Sequence, residues 1–256
     1  MVNIALNGCC GRMGQALSSL IAGKDNCKVI FGIDSVGNTK NYDFPVYKSC
    51  DEIPSTAKAD VIIDFSHFTA VRSITEYAAK SLTPIVVATT AITPEDKKFM
   101  QEISSEIPVF HSANMSIGIC LIKELAKKAE IFLGEDFDVE IVERHHNQKL
   151  DAPSGTALAI ADAINDASGD RFEYIYDRSQ RKQKRDKKEL GISAVRGGTI
   201  IGDHEVIFAG TNEVIEITHR AQSREVFASG ALKAAIYIAG KEPGFYNMET
   251  LASSLV

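Results

Sequence analysis

Long apolar runs are missing from this chain: none approaches the ~18 residues that a membrane span needs. The first residues, Met-Val-Asn-Ile-Ala-Leu-Asn-Gly, also lack the basic start and long apolar stretch of an export signal. Cysteine is scarce. The five present, Cys9, Cys10, Cys27, Cys50 and Cys120, are odd in number and show no paired spacing, which argues against a disulfide framework and fits a reducing compartment. Positive charge is in deficit, 28 Lys and Arg against 34 Asp and Glu for a net charge of -6, so no global field gathers nucleic acid or anionic lipid. Any anion must be held by a local site. Tryptophan is absent, and 18 Gly and 7 Pro are too few for a collagenous or low-complexity chain. The expectation is a cytoplasmic, soluble protein with no nucleic-acid or membrane partner.

What is present is length and alternation. At 256 residues the chain spans one to two domains of ~150 residues, enough to bury a core without staples. Short apolar strands at 2–6, 29–34, 59–65, 84–88 and 109–111 alternate with helical patterns at 13–22, 70–80 and 94–105, the last opening on Thr93 as N-cap with Pro94 behind it. That alternation predicts βαβ units and a doubly wound parallel sheet. From about residue 114 the texture changes. A helix at 117–132, a strand at 138–146 and a helix at 154–165 lead to strands at 192–195, 199–208 and 213–220, joined by turns at Gly197-Gly198 and Gly210-Thr211-Asn212 and therefore expected to be antiparallel neighbours. A long apolar helix at 223–239 and a short one ending at Val256 close the chain. The fold class expected is α/β with a second α+β domain, divided as 1–114, 115–222 and a tail at 223–256. The segment 171–188 holds eight Lys or Arg and three Asp or Glu with almost no apolar periodicity, so it reads as a solvated loop, either a surface crossing or a basic flap over an anion.

Gly8-Cys9-Cys10-Gly11-Arg12-Met13-Gly14 follows the first strand and opens the first helix, the context that a dinucleotide fingerprint requires. Gly8 permits a sharp exit from the strand, Gly11 lets backbone N–H groups approach a pyrophosphate, and Gly14 lets helix and strand pack closely. The helix start adds a positive dipole end. Asp34 lies 20 residues beyond Gly14, where a carboxylate can accept both ribose hydroxyls. Cys9 and Cys10 read as small fillers of this loop.

The richest stretch is Glu143-Arg144-His145-His146-Asn147-Gln148-Lys149-Leu150-Asp151-Ala152-Pro153-Ser154-Gly155-Thr156. Imidazoles exchange protons near neutrality, Lys149 carries positive charge or donates a proton, and the amides of Gly155 and Thr156 at a helix start can hold a carboxylate. The ligand implied is a small anion that needs a proton. A zinc site is the rival reading, but adjacent strand histidines point to opposite faces and no ligand pair at metal spacing supports them, so no metal is expected.

Residues 143–157 resemble the E-x-H-H-x-x-K-x-D-A-P-S-G-T-A signature of the 4-hydroxy-tetrahydrodipicolinate reductase (dihydrodipicolinate reductase) family, NAD(P)H-dependent enzymes of bacterial diaminopimelate and lysine synthesis. The likeness continues in the G-x-x-G-R-M-G loop, Ala88-Thr89-Thr90, Ser112-Ala113-Asn114-Met115-Ser116-Ile117-Gly118, Val195-Arg196-Gly197-Gly198 with Gly202 and His204, and Glu216-Ile217-Thr218-His219. It implies that His145 is the proton donor and acceptor, Lys149 a proton donor, and His146, Gly155 and Thr156 substrate contacts. It also implies that Gly8, Cys9, Cys10, Gly11, Arg12 and Met13 hold the pyrophosphate, Asp34 the ribose, and Ala88, Thr89, Thr90, Ser112, Ala113, Asn114 and Met115 the nicotinamide. A Rossmann domain, a middle domain whose open mixed sheet builds the subunit interface, and a homotetramer follow from the same resemblance. This chain departs from the family pattern at Ala88 and Ala91, where glycine is common, at Met115, often Phe, and at Ser35, where many NADPH users have Arg. Asp34 followed by Ser35 favours NADH, with NADPH possible. Another two-domain oxidoreductase, such as an amino-acid dehydrogenase, would share the glycine loop but would not explain the His-His-x-x-Lys segment joined to Ser-Gly-Thr. A non-catalytic nucleotide sensor would have let that cluster decay.

Overall fold

The computed structural model describes residues 1–254. In chain order the elements are β1 (Val2–Asn7), α1 (Arg12–Ala22), β2 (Cys27–Ile33), β3 (Val46–Tyr47), β4 (Val61–Asp64), α2 (Val71–Lys80), β5 (Ile85–Val87), α3 (Pro94–Ile103) and β6 (Pro108–His111). There follow α4 (Ile117–Leu133), β7 (Asp138–His145), α5 (Gly155–Ala167), β8 (Glu173–Ile175), β9 (Glu189–Arg196), β10 (Asp203–Ala209), β11 (Val214–Arg220), α6 (Glu225–Ile238), β12 (Gly244–Tyr246) and α7 (Met248–Ser253). Two compact units result. One is Met1–Ser116 together with the chain from Arg224 onward, and the other is Ile117–Ser223.

The first unit is a seven-stranded sheet in the order β12-β6-β5-β4-β1-β2-β3, parallel throughout. Its strands are short continuous apolar runs, Val61 to Ile63 and Ile85 to Val87 fully buried, because helices cover both faces of such a sheet. The core joins Phe31, Ile62, Val71, Ile74, Val87, Met100 and Val109. Thr93 caps α3 by accepting the Asp96 N–H at 3.1 Å, with Pro94 in the first turn. The strand order reverses between β1 and β4, and the crevice at the carboxyl ends of these strands is where ligands of open α/β sheets bind. No helix among the described residues is long and apolar enough to cross a membrane.

At the end of β5 the chain turns through Ala91, whose φ of +59° lies in the left-handed region. That conformation costs a non-glycine residue ~1–2 kcal/mol. Ala91 is exposed, so Ala91→Gly should stabilise the protein by about 0.5–1 kcal/mol after the extra freedom of glycine in the unfolded chain is discounted. A raised urea midpoint checks this; an unchanged or lowered one would mean that the methyl group contributes packing that outweighs the backbone relief.

The second unit is a mixed sheet ordered β11-β10-β7-β9-β8. The alternation in β7, with Val139, Ile141, Glu143 and His145 turned inward, comes from α4 and α5 covering one face, where Ile122, Ala126, Ile160 and Ile164 meet Ile192, Val206 and Phe208. β10 and β11 form the hairpin expected at Gly210-Thr211-Asn212. The Gly197-Gly198 turn does not join neighbours: β7 lies between β9 and β10, parallel to the first and antiparallel to the second. Two facing runs separated by a glycine turn carry no information about a third strand inserted between them.

The solvated-loop reading of 171–188 is also corrected. Residues 173–175 form β8, parallel to β9, and the four arginines fold inward while Lys182, Lys184, Lys187 and Lys188 stay exposed. Arg178 binds Glu140 at 2.7 Å and Glu189 at 3.0 Å, Arg181 binds Glu189 at 2.6 Å, and Arg185 reaches Glu140, Asp138 and the carbonyls of Val139 and Glu189. Arg171 binds the buried Glu130 at 2.6 Å. The hydrogen bond from Arg181, with others from the Asp186 amide and Arg178, holds the Glu189 carboxyl down at about 2 despite its burial. Planar guanidinium groups satisfy several buried acceptors at once, which ammonium groups cannot. The arginines are thus committed within the unit and do not form a basic flap.

Candidate active site

In the first unit the glycine loop behaves as its spacing requires. Gly8 has φ of +77°, and a Cβ on it would stand 2.6 Å from the Phe65 carbonyl oxygen; a Cβ on Gly14 would lie 2.2 Å from the Gly8 carbonyl oxygen. The start of α1 has neither a side-chain cap nor an acidic residue in its first turn, so its dipole end is not neutralised from within. Asp34 stands at the end of β2, accepts the Cys10 N–H at 2.8 Å and so ties the loop to the second strand. A cleft of about 750 Å³ opens along Gly8, Gly11, Asp34, Ser35, Lys48 and His67. Lys48 and His67 escaped the sequence reading because neither belongs to a spaced motif. Arg12 is exposed and Met13 half-buried beside the loop.

A buried carboxylate organises the neighbouring turns. Asp64, at the end of β4, accepts from Asn7 at 2.7 Å, from Ser66 Oγ at 2.6 Å and from Thr89 Oγ1 at 2.7 Å, linking the ends of three strands. Desolvation raises its carboxyl above the usual range against the pull of these donors. Thr89 is thereby fixed beside buried Ala88, with Thr90 exposed. Ser112 Oγ donates to the Asn114 carbonyl, Ala113 is exposed and Met115 is buried. Nothing in the sequence marked Asp64, since it closes an otherwise apolar strand.

In the second unit the end of β7, the following loop and the start of α5 converge. Glu143, fully buried, is the anchor: its carboxylate accepts His145 Nδ1 at 2.6 Å, both terminal nitrogens of Arg196 at 2.8 Å and the Ser154 N–H at 2.9 Å. Burial alone would raise this carboxyl; the donors from His145, Arg196 and Ser154 outweigh it and hold it at about 2. With Nδ1 engaged, His145 keeps Nε2 as its exchangeable position. Nε2 faces Gly202, where a Cβ would come within 3.0 Å. His204 lies edge-on to His145 with ring centroids 5.2 Å apart and its Nε2 3.1 Å from Ser154 Oγ. Because Ser154 Oγ also accepts the Ala157 N–H as the α5 cap, its own proton points to a neutral His204. Burial, with the charge of His145, depresses His204 to about 4.

Lys149 Nζ lies 2.9 Å from Asp151, whose carboxyl is held below its usual range against burial by hydrogen bonds from Lys149 and from the Gly155 amide. His146 is half-buried just beyond β7, and its carbonyl accepts the Lys149 N–H at 3.2 Å. Gly155 is exposed with nothing within 4 Å of where a Cβ would stand, and Thr156 is half-buried beside it. The structure thus gathers His145, His146, Lys149, Gly155 and Thr156 at one end of the second unit. Glu143 in the 143–157 motif, and Arg196 and His204 in the later family-like segment, carry no assigned task in the sequence. The signal for Glu143 is its two-residue spacing from His145, which puts both on one strand face; Arg196 and His204 reach the site from other strands and have no such local signal.

Glu143, Glu189 and Asp151, held low, and His204, held below the ordinary imidazole range together with His111 and His219, shape the acid behaviour. Between pH 6.5 and about 4 the unfolded chain takes up a proton that folded His204 refuses; between 4.5 and about 2 it does so at Glu143 and Glu189. The stability that His204, Glu143 and Glu189 contribute is therefore complete above pH 6.5 and is lost on acidification through both windows. Melting temperature measured against pH should fall in two stages, and His204→Gln should make the upper one shallower, leaving the part owed to His111 and His219. A flat profile between 6.5 and 4 would refute the neutral, buried His204.

Family models for the N-terminal and C-terminal parts of dihydrodipicolinate reductase match residues 2–115 and 118–251. A 4-hydroxy-tetrahydrodipicolinate reductase of Caldanaerobacter subterraneus subsp. tengcongensis is 50% identical over 251 residues, covering 98% of each chain. One from Clostridium tetani is 46% identical over 254 residues, covering 99% of this chain and 98% of its own. Among solved structures, the dipicolinate-bound dihydrodipicolinate reductase of Paenisporosarcina sp. TG-14 shares the fold at a TM-score of 0.80 and 24% identity, over 96% of this chain and 97% of that one. The Corynebacterium glutamicum diaminopimelate dehydrogenase matches less well, at 0.60 and 13% over 97% and 93%. The first unit is a nucleotide-binding Rossmann domain, and the chain as a whole belongs to the dihydrodipicolinate reductase family.

Proposed function

We propose that this protein reduces 4-hydroxy-tetrahydrodipicolinate to tetrahydrodipicolinate, by way of the conjugated cyclic imine formed on loss of water, in diaminopimelate and lysine synthesis. The observation that carries the proposal is the Glu143 anchor, which orients His145 and Arg196 and ties them through Ser154 to a helix start beside Lys149. Such a site binds a small dicarboxylate and supplies it with a proton. His145 and Lys149 are the proton donors. His146 and the amides at Gly155 and Thr156 hold the carboxylates, Lys149 and the Gly155 amide exchanging Asp151 for the substrate.

The residues of the first unit fit a nicotinamide dinucleotide: an uncapped helix start for the pyrophosphate, Asp34 for the ribose, and the turns at Ala88 to Thr90 and Ser112 to Met115 for the nicotinamide. When bound, the reduced nicotinamide supplies the hydride. The chain itself aims the substrate, holds its charge and relieves the electron density built up on it by proton donation. The assay is NADH or NADPH oxidation with freshly made product of the preceding synthase; no turnover with either cofactor overturns the reading.

NADH is the preferred donor, because a 2′-phosphate would place like charge beside Asp34 and Ser35 offers no guanidinium. A higher kcat/KM for NADH checks this, and Asp34→Ala should narrow the ratio. A marked NADPH advantage sinks it. The face of the β7 to β10 sheet turned away from α4 and α5, bearing Val142, Val195 and Ile207, is the surface on which a homotetramer would assemble.

A further inference from the structure

The adjacent cysteines of the glycine loop have no task in hydride transfer. Their sulfurs lie 3.9 Å apart, and Cys9 Sγ, Cys10 Sγ and a carboxylate oxygen of Asp34 all lie within 4.8 Å of one another. Two thiolates bound tetrahedrally to one zinc ion at ~2.3 Å would stand ~3.8 Å apart. The observed spacing therefore needs almost no adjustment. Adjacent residues generally direct their side chains apart, whereas here the sulfurs stand together just after the positive-φ turn at Gly8, and the Cys10 N–H donates to the Asp34 carboxylate. Cys9 is fully buried against Gly32, Cys10 is half-buried, and Asp34 opens onto the cleft, which supplies an entry. The Cys10 thiol donates to the Gly37 carbonyl at 3.2 Å.

We propose that Cys9, Cys10 and Asp34 form a site for a thiophilic divalent cation, zinc or cadmium in kind, and that occupation of this site closes the dinucleotide cleft. A set of two sulfurs and one carboxylate suits these ions and disfavours magnesium or calcium. Binding forms two metal–sulfur bonds and one metal–oxygen bond and releases the two thiol protons, with no change of oxidation state. The closure clause rests on the reading of Asp34 as the ribose partner: with the Cys10 N–H on one carboxylate oxygen at 2.8 Å and the Val36 N–H on the other at 3.3 Å, a carboxylate that also binds a metal has too few lone pairs left to accept both ribose hydroxyls. The cation site itself stands without that reading.

The test is titration of the intact protein with cadmium, followed by thiolate-to-metal charge-transfer absorption. One equivalent should give the band, Cys50→Ser should keep it, and Cys9→Ala with Cys10→Ala should abolish it. In the unmodified protein, cadmium should protect Cys10 from alkylation, mapped by mass, while Cys50 still reacts, so the outcome does not depend on the double variant folding. Excess NADH should weaken apparent cadmium binding by at least about tenfold. A band that survives the double variant, or a Cys10 that alkylates at an unchanged rate, overturns the site. A cadmium band indifferent to NADH, in a protein that binds NADH, overturns the closure alone; failure to bind NADH at all would instead indict the dinucleotide reading.

Discussion

Lys149→Ala and His145→Ala are each expected to lower kcat by about 10²–10⁴-fold while leaving dinucleotide affinity and folding near those of the parent protein. Their proposed work is proton donation as electron density builds on the substrate, an interaction stronger in the transition state than in the ground state, so the loss falls on kcat. Both side chains belong to the second unit, whereas the glycine loop belongs to the first, and neither fills the apolar core. Lys149 is partly exposed, with its ammonium group on Asp151, so its removal leaves no buried charge unpaired. His145 is more enclosed, and Ala there frees one Glu143 oxygen that Arg196 Nη1 still serves at 2.8 Å. Steady-state kinetics with dinucleotide binding by fluorescence separates the two effects. A folded variant that turns over at the parental rate would remove that residue from the proton-donating role.

Glu143→Gln is expected to damage stability and turnover together. The carboxylate meets four donors, from His145, Arg196 twice and the Ser154 amide, all between 2.6 and 2.9 Å. Glutamine offers one acceptor oxygen and turns an N–H₂ group into at least one of these donors. Breaking a buried ion pair by neutralising one partner costs ~3–5 kcal/mol, and the 20% exposure of the Arg196 side chain places this case toward the lower end. With Nδ1 no longer anchored, His145 loses its fixed tautomer and orientation, and kcat should fall at least about 10²-fold even where the variant is folded. Urea denaturation reads the first effect, and kinetics at low temperature, where the variant remains folded, reads the second. Acid sensitivity below pH 4.5 should also diminish, since one of the carboxylates responsible is gone while Glu189 remains. A variant as stable as the parent would contradict the anchor, and normal kcat in a folded variant would contradict the positioning of His145.

Much of the architecture follows from local sequence. Buried parallel strands must be short, apolar and alternate with amphipathic helices, so β1, β2, β4, β5 and β6 were legible from composition alone, as was the α3 cap, which needs only Thr93, Pro94 and Asp96 in succession. The glycine loop was legible because its constraints are steric and lie within seven residues: a positive φ at Gly8 and contact of Gly14 with the Gly8 carbonyl. Likewise Ser154 announces the α5 start from its place before Gly155 and Thr156. In each case the interaction that decides the structure joins residues a few positions apart.

Interactions between distant residues were decided only by the fold. Strands β3, β8 and β12, two or three residues each, exist because a neighbouring edge accepts them. The place of β7 between β9 and β10 depends on pairing partners 50 or more residues apart. The basic stretch looked solvated because charge carries no periodicity; its arginines turn inward only because Glu130, Asp138, Glu140 and Glu189 wait on other elements. The same holds for Asp64 joining three strand ends, for Arg196 reaching Glu143 across 53 residues, and for Asp34 brought beside Cys10, 24 positions earlier, and its neighbour Cys9. A buried carboxylate declares itself in sequence only as an acidic residue, and it takes the tertiary fold to supply the donors that make its burial tolerable and its position significant.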